Sequence, residues 1–326
     1  MEKKKIAVLT SGGDAPGLNA AIRAVVRAAH YYNFSVIGVR RGFKGLIERD
    51  FCHLNPRDVG LIINRGGTIL HSSRENRFKD YNYRKIAVEN LKKEGIEALF
   101  VIGGNGSFQG ANLLVKEFDF PVIGIPKTID NDTYGTDYTI GFDTAVNNAV
   151  DAIDKIRDTT MSHERVFVVE VMGRNSGFIA LEAGIATGAD VILIPEYPFP
   201  MHIIVDTVLR ARERGKRFSI IVVAEGVASA KDVAQILEEK LKPYDFGGVR
   251  YSVLGYIQRG GSPTAFDRNI ASRFGVFAVE EYVKGNKNFM VSYENGTIKA
   301  KPLDISFGKI KKPDLKEFET ANILSI

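Results

Sequence analysis

The strongest constraint in this sequence is a local pattern that the chain repeats: a short apolar run, a turn of glycines and polar residues, and then a helical pattern. Ile6 to Thr10 leads into Ser11 to Gly17, and Ala98 to Ile102 leads into Gly103 to Ser107. Strands that alternate with helices in this way predict a parallel sheet covered by helices. The alternation begins again at Val166, and a chain of 326 residues is longer than one core usually supports. We therefore predict an α/β protein with two doubly wound, Rossmann-like lobes and mostly parallel sheets.

Apolar residues spaced three and four apart predict the helices, and turn residues predict their ends. The predicted helices are Leu18 to His30, Tyr81 to Glu94, Phe108 to Phe118, Phe142 to Asp158, Phe178 to Thr187, His202 to Arg214, Ala265 to Val283 and Pro313 to Ile323. Asn295-Gly296 predicts a type I′ hairpin turn. Residues 42 to 58 show no regular period and are predicted to be irregular.

The most polar of the predicted strand ends follows the apolar run Phe120 to Ile125 and reads Pro126-Lys127-Thr128-Ile129-Asp130-Asn131-Asp132. Ligands of open α/β sheets bind beyond the carboxyl ends of the strands. If the segment stays extended, its two-residue period sends Thr128, Asp130 and Asp132 to one side. The alternative is a polar turn that only caps the next helix.

Glycines dominate two further strand ends. Gly12 and Gly13 follow the first strand, and Gly104 and Gly106 follow the strand that ends at Ile102. Glycines between a strand and a helix let backbone amides approach a phosphate at the helix N-terminus. Neither turn is a Walker loop or a G-x-G-x-x-G fingerprint, which argues against a dehydrogenase. We predict a site that handles phosphate groups.

Composition excludes several other classes. The net charge is +5 and the pI is about 9.0, but the basic residues are scattered among acidic ones, so we expect no nucleic-acid partner. The single cysteine, Cys52, rules out an internal disulfide framework and is typical of a reducing compartment. No stretch resembles a membrane span or a signal peptide. We expect a cytoplasmic protein with no membrane partner.

Taken together, the turn sequences resemble those of the bacterial 6-phosphofructokinases, which carry T-S-G-G-D-A-P-G-x-N, G-G-D-G-S and T-I-D-N-D at these places. The resemblance continues through Met172-Gly173-Arg174 and Gln258 to Pro263, and so covers nearly the whole chain. It implies a donor-binding lobe and a sugar-phosphate-binding lobe. The implied lobes are residues 1–141 with 259–308 and residues 142–258 with 309–326, respectively.

The resemblance also implies an activity, the transfer of a phosphoryl group from ATP with Mg²⁺ to the 1-hydroxyl of fructose 6-phosphate, the committed step of glycolysis. Asp130 occupies the position of the catalytic base, Thr128 and Asp132 flank it, and Lys127 precedes them. Phosphoryl transfer needs mainly positioning and charge, which these residue types supply. The implied donor-binding residues are Gly13, Arg74, Glu75, Gly104, Asn105, Gly106 and Ser107.

The acceptor's 6-phosphate suits arginine, whose planar fork matches phosphate oxygens. The implied acceptor-binding residues are Thr128, Asp130, Arg165, Met172, Gly173, Arg174, Glu225, Arg250, Tyr256 and Arg259. In the family, Arg165 and Arg250 reach into the neighbouring subunit's site, which implies a homo-oligomer, expected to be a tetramer. The family also has an effector site for ADP and phosphoenolpyruvate, matched by Arg23, Arg27, Arg157, Asp190, Arg214 and Lys216.

Several positions depart from the family pattern. Asn105 stands where the family has the aspartate that binds Mg²⁺, so we expect a weak metal ligand and reliance on the donor phosphates and Asp132. Tyr256 replaces a histidine that contacts the sugar phosphate. Pro56, beside Arg57, replaces an effector arginine, so we expect effectors to bind with altered strength. These changes leave open a non-catalytic, sugar-phosphate-binding regulatory homologue, which the intact residues around Asp130 disfavour.

Two positions bear on the phosphoryl donor and point in opposite directions. Gly106 matches ATP users, because pyrophosphate users place an aspartate there that would intrude on the nucleotide. Lys127 matches pyrophosphate users, whereas ATP users have glycine. Steric exclusion outweighs one added attraction, so we predict ATP, with pyrophosphate as the alternative. Lys127 is further expected to compensate for the charge missing at Asn105.

Overall fold

The computed structural model describes residues 3–198, 200–244 and 247–324. The chain divides into two compact units, each built from separate stretches of sequence. Unit 1 comprises Met1–Ile129, Thr133–Asp143 and Arg259–Lys311, and unit 2 comprises Asp130–Asp132, Thr144–Gln258 and Lys312–Ile326.

The strands and helices alternate along most of the chain. The strands are β1 Lys5–Thr10, β2 Ser35–Val39, β3 Phe51–Leu54, β4 Ile96–Gly103, β5 Val122–Pro126, β6 Val166–Val171, β7 Val191–Leu193, β8 Ser219–Ala224, β9 Val249–Val253, β10 Phe289–Glu294 and β11 Thr297–Pro302. The α-helices are α1 Leu18–Tyr31, α2 Phe43–Glu48, α3 Tyr81–Lys93, α4 Asn105–Phe118, α5 Phe142–Ser162, α6 Phe178–Ala186, α7 Met201–Glu213, α8 Ala230–Leu241, α9 Ala265–Val283 and α10 Leu315–Leu324. Short 3-10 helices span Asn76–Lys79, Lys242–Tyr244 and Gly255–Arg259.

Unit 1 contains a seven-stranded sheet in the order β11-β10-β5-β4-β1-β2-β3. Its strands are parallel except at the edges, where β3 pairs antiparallel with β2 and β11 pairs antiparallel with β10. Alternate residues of the buried strands serve different faces. Val8 and Phe100 pack with α1 and α9, whereas Leu9 and Val101 pack with residues of α3 and α4. Helices cover both faces, as a doubly wound fold requires.

Unit 2 contains a four-stranded, wholly parallel sheet in the order β7-β8-β6-β9. Its core includes Val168 of β6, Ile221 of β8, and Val233 and Leu237 of α8. The predicted α/β class with two mostly parallel sheets is therefore confirmed.

Three local predictions were wrong. Residues 42 to 58 are not irregular but contain α2 and β3, both too short to show a clear period. The fourth helix begins at Asn105 rather than Phe108, because Gly104 is its N-cap and its first turn contains a glycine, which weakens the helical pattern. The segment after β5 turns at residues 129 and 130 instead of staying extended.

The predicted hairpin turn is confirmed, since Asn295 and Gly296 both have positive φ, at 50° and 79°. Among the described residues, no helix is long and apolar enough to cross a membrane.

Candidate active site

The carboxyl ends of three neighbouring strands bring the glycine-rich turns of unit 1 together. Thr10 at the end of β1 is paired with Ile102 of β4, and Gly103 at the end of β4 is paired with Pro126 of β5. The chain therefore leaves the sheet at the same edge after all three strands, where open α/β sheets bind their ligands.

Lys127 ties two of these turns to each other. The residue is only 3% exposed, and its Nζ donates to the carbonyl oxygen of Ser11 at 3.1 Å and to that of Gly13. Its backbone amide donates to the carbonyl oxygen of Gly103 at 2.9 Å. Lys127 thus places a buried positive charge at the turn after β1 and holds that turn in place.

The N-terminus of α4 provides room for an anion beside this charge. Gly104 caps the helix with no side-chain hydrogen bond, and a helix N-terminus carries a partial positive charge. A Cβ at Gly106 would meet no heavy atom within 4 Å, so protein packing does not require glycine there. A Cβ at Gly12 would lie 3.7 Å from the hydroxyl of Ser107, which places that hydroxyl next to the β1 turn. Asn105 is the first residue of the helix.

The segment that carries Arg74 is fastened to the same turn. Ser72 Oγ donates to the carbonyl oxygen of Gly12 at 2.6 Å, and Ser73 Oγ donates to that of Arg41 at 2.7 Å. Arg74 itself is exposed, as a residue that binds a ligand from solution needs to be.

Glu75, the neighbouring predicted donor residue, has a local structural role in this chain. Its carboxylate accepts from the backbone amide of Arg77 at 2.9 Å and from the guanidinium at 2.6 Å. These hydrogen bonds hold the pKa of Glu75 below its ordinary value. Its role in donor binding remains a prediction.

Arg259 lies against the β1 turn of unit 1. Its Nη1 is 3.5 Å from Oδ1 of Asp14, and a Cβ on Gly13 would lie 2.6 Å from the same nitrogen. The guanidinium therefore lies directly over Gly13, and a side chain at this position would displace it. Sequence reasoning gave no role to Asp14, which has no distinguishing signal besides its place in the motif.

The stretch around Asp130 forms a buried turn. β5 ends at Pro126, the chain turns at residues 129 and 130, and Asn131 has φ 50°. The predicted alternation of Thr128, Asp130 and Asp132 on one side of an extended strand is therefore wrong, because the turn breaks the two-residue period. Asp130 is 7% exposed, so its carboxylate lies in a largely desolvated environment.

In unit 2, the predicted hexose contacts meet at the ends of β6 and β8. Met172 follows β6 and Glu225 follows β8. Oε1 of Glu225 accepts from the amides of Gly173 at 3.2 Å and Arg174 at 2.7 Å. Gly226 packs so closely that a Cβ there would lie 2.2 Å from the Arg174 carbonyl oxygen. The structure thus brings these predicted residues together and assigns one oxygen of Glu225 to holding the loop.

Two other predicted acceptor residues lie at the opposite end of the same sheet. Arg165 directly precedes β6, and Arg250 of β9 is paired with Phe167 near the start of β6. Six residues of strand at about 3.3 Å each separate these arginines from the far end by roughly 20 Å. Within one chain, Arg165 and Arg250 are therefore not brought to Met172 and Glu225.

The 3-10 helix Gly255–Arg259 adds one residue that sequence reasoning left without a role. Gln258 is fully buried, its Oε1 accepts from the Met172 amide at 3.3 Å, and its Nε2 donates to the Gly255 carbonyl oxygen at 3.1 Å. Tyr256 of the same helix is 80% exposed. Gln258 therefore supports the start of the loop Met172-Gly173-Arg174, while Tyr256 faces solvent.

One of the predicted effector residues of unit 1, Arg23, has a buried guanidinium nitrogen without a hydrogen bond to any part of the chain that the structure describes. Arg23 and Arg27 lie one turn apart on α1, and Nε of Arg23 is buried with no hydrogen-bond partner among the described residues. Burial and the charge of Arg27 lower the pKa of Arg23. An anion bound here would relieve both costs.

The predicted effector residues of unit 2 are partly engaged with one another. Asp190 is buried and binds Lys216 Nζ through Oδ1. The guanidinium of Arg157 donates to the carbonyl oxygen of Thr187, which precedes Asp190 by three residues. Arg214 caps the end of α7 and is mostly held by that helix.

A dedicated metal cage is absent from the described part of the chain, where no three His, Cys, Asp or Glu side chains form a group that could hold a metal ion. Mg²⁺ usually binds through one or two protein oxygens together with substrate phosphates, so its binding does not require such a group. The roles of Asn105 and Asp132 as metal ligands remain predictions.

Comparisons with known proteins cover nearly the whole chain. The family model described as Phosphofructokinase matches residues 5–282. A protein of Persephonella marina named ATP-dependent 6-phosphofructokinase is 76% identical over 323 residues, which cover 99% of this chain and 100% of that protein.

Solved structures also match, among them the following two. The phosphofructokinase from Saccharomyces cerevisiae has a TM-score of 0.86 and 36% identity over 93% of this chain and 44% of the yeast chain. The pyrophosphate-dependent phosphofructokinase from Marinobacter aquaeolei has a TM-score of 0.84 and 25% identity over 96% of this chain and 86% of that chain.

Proposed function

The chain belongs to the phosphofructokinase family, and we propose from this premise that it phosphorylates the 1-hydroxyl of fructose 6-phosphate with ATP. It is an ATP-dependent 6-phosphofructokinase, a transferase of glycolysis. The observation that carries this conclusion is 76% identity to an enzyme of that name over the whole of its length. The open space over Gly106 supports it, because a Cβ there would meet no heavy atom of the described residues within 4 Å.

The donor assignment is tested by measuring fructose 1,6-bisphosphate formation with MgATP and with Mg-pyrophosphate. Lys127 is the one residue at this site that favours pyrophosphate, and the related enzyme from Marinobacter aquaeolei is pyrophosphate-dependent. We expect efficient turnover with ATP. Efficient use of pyrophosphate with negligible ATP activity would overturn the assignment, and no turnover with either donor would favour the regulatory homologue.

In unit 1, the turn after β1 and the N-terminus of α4 are assigned to the donor phosphates. The Lys127 ammonium, the Ser107 hydroxyl and the amides of Gly13, Gly104 and Gly106 supply positive charge and hydrogen-bond donors. Arg74 adds an exposed guanidinium. A bound Mg²⁺ would neutralise the phosphate oxygens, with Asn105 and Asp132 as its protein ligands.

Asp130 is assigned as the base. The sugar 1-oxygen attacks the terminal phosphorus of ATP, the bond to the bridging oxygen breaks, ADP leaves, and the hydroxyl proton passes to the Asp130 carboxylate. Asp130→Asn should lower kcat by roughly two orders of magnitude or more, because a positioned base contributes about that much. The KM for fructose 6-phosphate should change little. A mild effect on kcat would remove Asp130 from this role.

In unit 2, the loop Met172-Gly173-Arg174 and Glu225 are assigned to the hexose. Oε1 of Glu225 holds the loop amides, which leaves Oε2 to accept from a sugar hydroxyl. The arginines assigned to the 6-phosphate are Arg165, Arg250 and Arg259. Tyr256, three residues before Arg259, is assigned to the same acceptor.

We further propose that each site uses Arg165 and Arg250 of a neighbouring subunit, in a homo-oligomer that is expected to be a tetramer. The support is their position at the amino end of β6, roughly 20 Å from the hexose loop of their own chain. Activity should therefore fall on dilution before the subunits unfold. Full turnover by an isolated monomer would refute the proposal.

Subunit mixing tests this sharing directly. Asp130→Asn and Arg250→Ala chains should each be nearly inactive, and co-refolded mixtures should regain activity, because some sites then combine two intact residues. A mixture of Asp130→Asn and Glu225→Gln chains is the matched control. Asp130 and Glu225 of each site belong to unit 2 of the same chain, so every site in this mixture contains one substitution and no intact site can form. Failure of the first mixture to regain activity contradicts shared sites.

ADP and phosphoenolpyruvate are proposed as effectors that bind between subunits, at Arg23 and Arg27 and at the predicted effector residues of unit 2 in a neighbouring subunit. The buried, unpartnered Nε of Arg23 supports an anion site. Arg23→Ala should weaken the response of activity to both effectors, whereas Arg217→Ala, an exposed ion-pair residue, should not. An unchanged response in Arg23→Ala would show that the site is not used. A cytoplasmic location remains a prediction that cell fractionation would test.

A further inference from the structure

Ser176 connects the proposed base with the proposed hexose loop. Its Oγ donates to the backbone carbonyl oxygen of Asp130 at 3.0 Å, and the residue is 4% exposed. A hydrogen bond shielded from water in this way is stronger and more persistent than one on the surface.

The backbone that this bond holds has no regular structure of its own. Asp130–Asp132 belongs to unit 2, whereas the residues on both sides of it belong to unit 1. The turn at residues 129 and 130 and φ 50° at Asn131 take the segment out of the β5 ladder. A segment outside a ladder depends on side-chain partners to fix its position.

The loop that carries Ser176 is itself firmly held. The Ser176 amide donates to the Gly173 carbonyl oxygen at 2.9 Å, and a Cβ on Gly173 would lie 2.3 Å from the Ser176 carbonyl oxygen. Glu225 accepts from the amides of Gly173 and Arg174, and buried Gln258 accepts from the Met172 amide. Ser176 therefore presents its hydroxyl from a braced position.

We infer that Ser176 is a positioning residue for phosphoryl transfer: its hydrogen bond to the main chain of Asp130 keeps the base in register with the loop that binds the hexose. This inference rests on the proposed function. Ser176 acts through Asp130 and is not itself assigned to touch the substrate. Small errors in the placement of a reacting group lower rates steeply, because about 1 Å can cost about a hundredfold.

Ser176→Ala in the full-length enzyme should lower kcat by roughly tenfold to a hundredfold while leaving the KM for MgATP unchanged. In an Asp130→Asn background the same substitution should cause no further loss, because the group that it positions is already absent. An unchanged kcat, or an equal factor of loss in both backgrounds, would overturn the inference.

Thr160→Val provides the matched control. Thr160 is also buried in unit 2, at 1% exposed, and its Oγ1 donates to the Ile156 carbonyl oxygen at 2.7 Å within α5. It should lower thermal stability without changing kcat. A fall in kcat equal to that of Ser176→Ala would show that the loss of any buried hydroxyl is sufficient and would overturn the inference.

Amide hydrogen exchange tests the anchor without relying on turnover. Peptides that cover residues 127–133 should exchange faster in Ser176→Ala than in the wild type, and at the wild-type rate in Thr160→Val. If Ser176→Ala does not fold, Ser176→Cys, with a weaker donor of similar size, replaces it with the same expected direction. Unchanged exchange in Ser176→Ala overturns the inference. Faster exchange in Ser176→Ala, together with a wild type that does not phosphorylate fructose 6-phosphate, would refute only the proposed function.

Discussion

Replacing Lys127 by glycine separates two roles that its ammonium group can have. The structural role is visible in two hydrogen bonds from a buried charged donor, to Ser11 and Gly13. Each bond of this kind is worth roughly 1.5–3 kcal/mol, so Lys127→Gly should lower the free energy of unfolding by about 3–6 kcal/mol. The second role is electrostatic, since a preorganised cation at the donor phosphates lowers the activation barrier by roughly 2–4 kcal/mol. Turnover should therefore fall by about thirtyfold to a thousandfold.

Adding Asn105→Asp should restore one of these losses and not the other. The first turn of α4 contains no acidic residue, so a carboxylate there gains about 0.3–1 kcal/mol from the helix dipole and supplies a charged ligand for Mg²⁺. We expect the double variant to regain much of the lost turnover. It should not regain the stability lost with Lys127, because the carbonyl oxygens of the β1 turn remain without their donor.

The assay compares kcat with MgATP and urea unfolding for the wild type, both single variants and the double variant. Lys5→Met is the matched control, because Lys5 Nζ also donates to a backbone carbonyl oxygen of unit 1, that of Glu94 at 3.1 Å, and should leave turnover unchanged. Strictly additive losses in turnover would refute compensation between Lys127 and Asn105. An unchanged stability of Lys127→Gly would refute the role of Lys127 in holding the β1 turn.

Three further predictions follow from single sites. Gly106→Asp should abolish ATP-dependent turnover without lowering the melting temperature, because a Cβ there meets no heavy atom within 4 Å; a destabilised variant, or one that still uses ATP, would contradict the steric argument. Glu117→Ala should lower the free energy of unfolding by about 3–5 kcal/mol in urea titration, because it removes the carboxylate partner of buried Arg84 and two of that residue's three side-chain hydrogen bonds, those of 2.6 and 2.7 Å. A negligible change would contradict this. Burial raises the pKa of the Cys52 thiol, so less thiolate forms at pH 8 and iodoacetamide should alkylate it more slowly than free cysteine; an equal rate would show that the thiol is accessible and ionises normally.

The fold was largely predictable because its longest elements carry clear periods. The helix predicted over Leu18 to His30 ends one residue later, and the helix Ala265 to Val283 has the predicted bounds. α2 and β3 were missed because each is short, and β3 is an edge strand whose His53 interrupts the apolar pattern. α8 was not predicted either, although its buried residues are spaced as in an amphipathic helix. Local periodicity does not detect elements that depend on their neighbours for stability.

The candidate site was predictable as a set of residues but not as an arrangement. The motif sequences indicate Lys127 and Asp130, but only the folded structure shows that Lys127 donates to two carbonyl oxygens and that Asp130 lies in a turn. Ser176 and Gln258 could not be assigned roles, because their importance comes from tertiary hydrogen bonds between residues far apart in sequence. Such contacts leave no local pattern in the chain.

The interrupted course of the chain through unit 1 affects the order in which the protein can form during synthesis. The seven-stranded sheet lacks β10 and β11, and α1 lacks its packing partner α9, until residues well beyond 260 have been made. The four-stranded sheet of unit 2 has all its strands once β9 ends at Val253. A nascent chain on the ribosome therefore carries the first half of unit 1 unfinished, with apolar strand edges exposed, while a later segment already completes its own sheet. Refolding of this enzyme should accordingly be limited by the long-range contacts that complete unit 1.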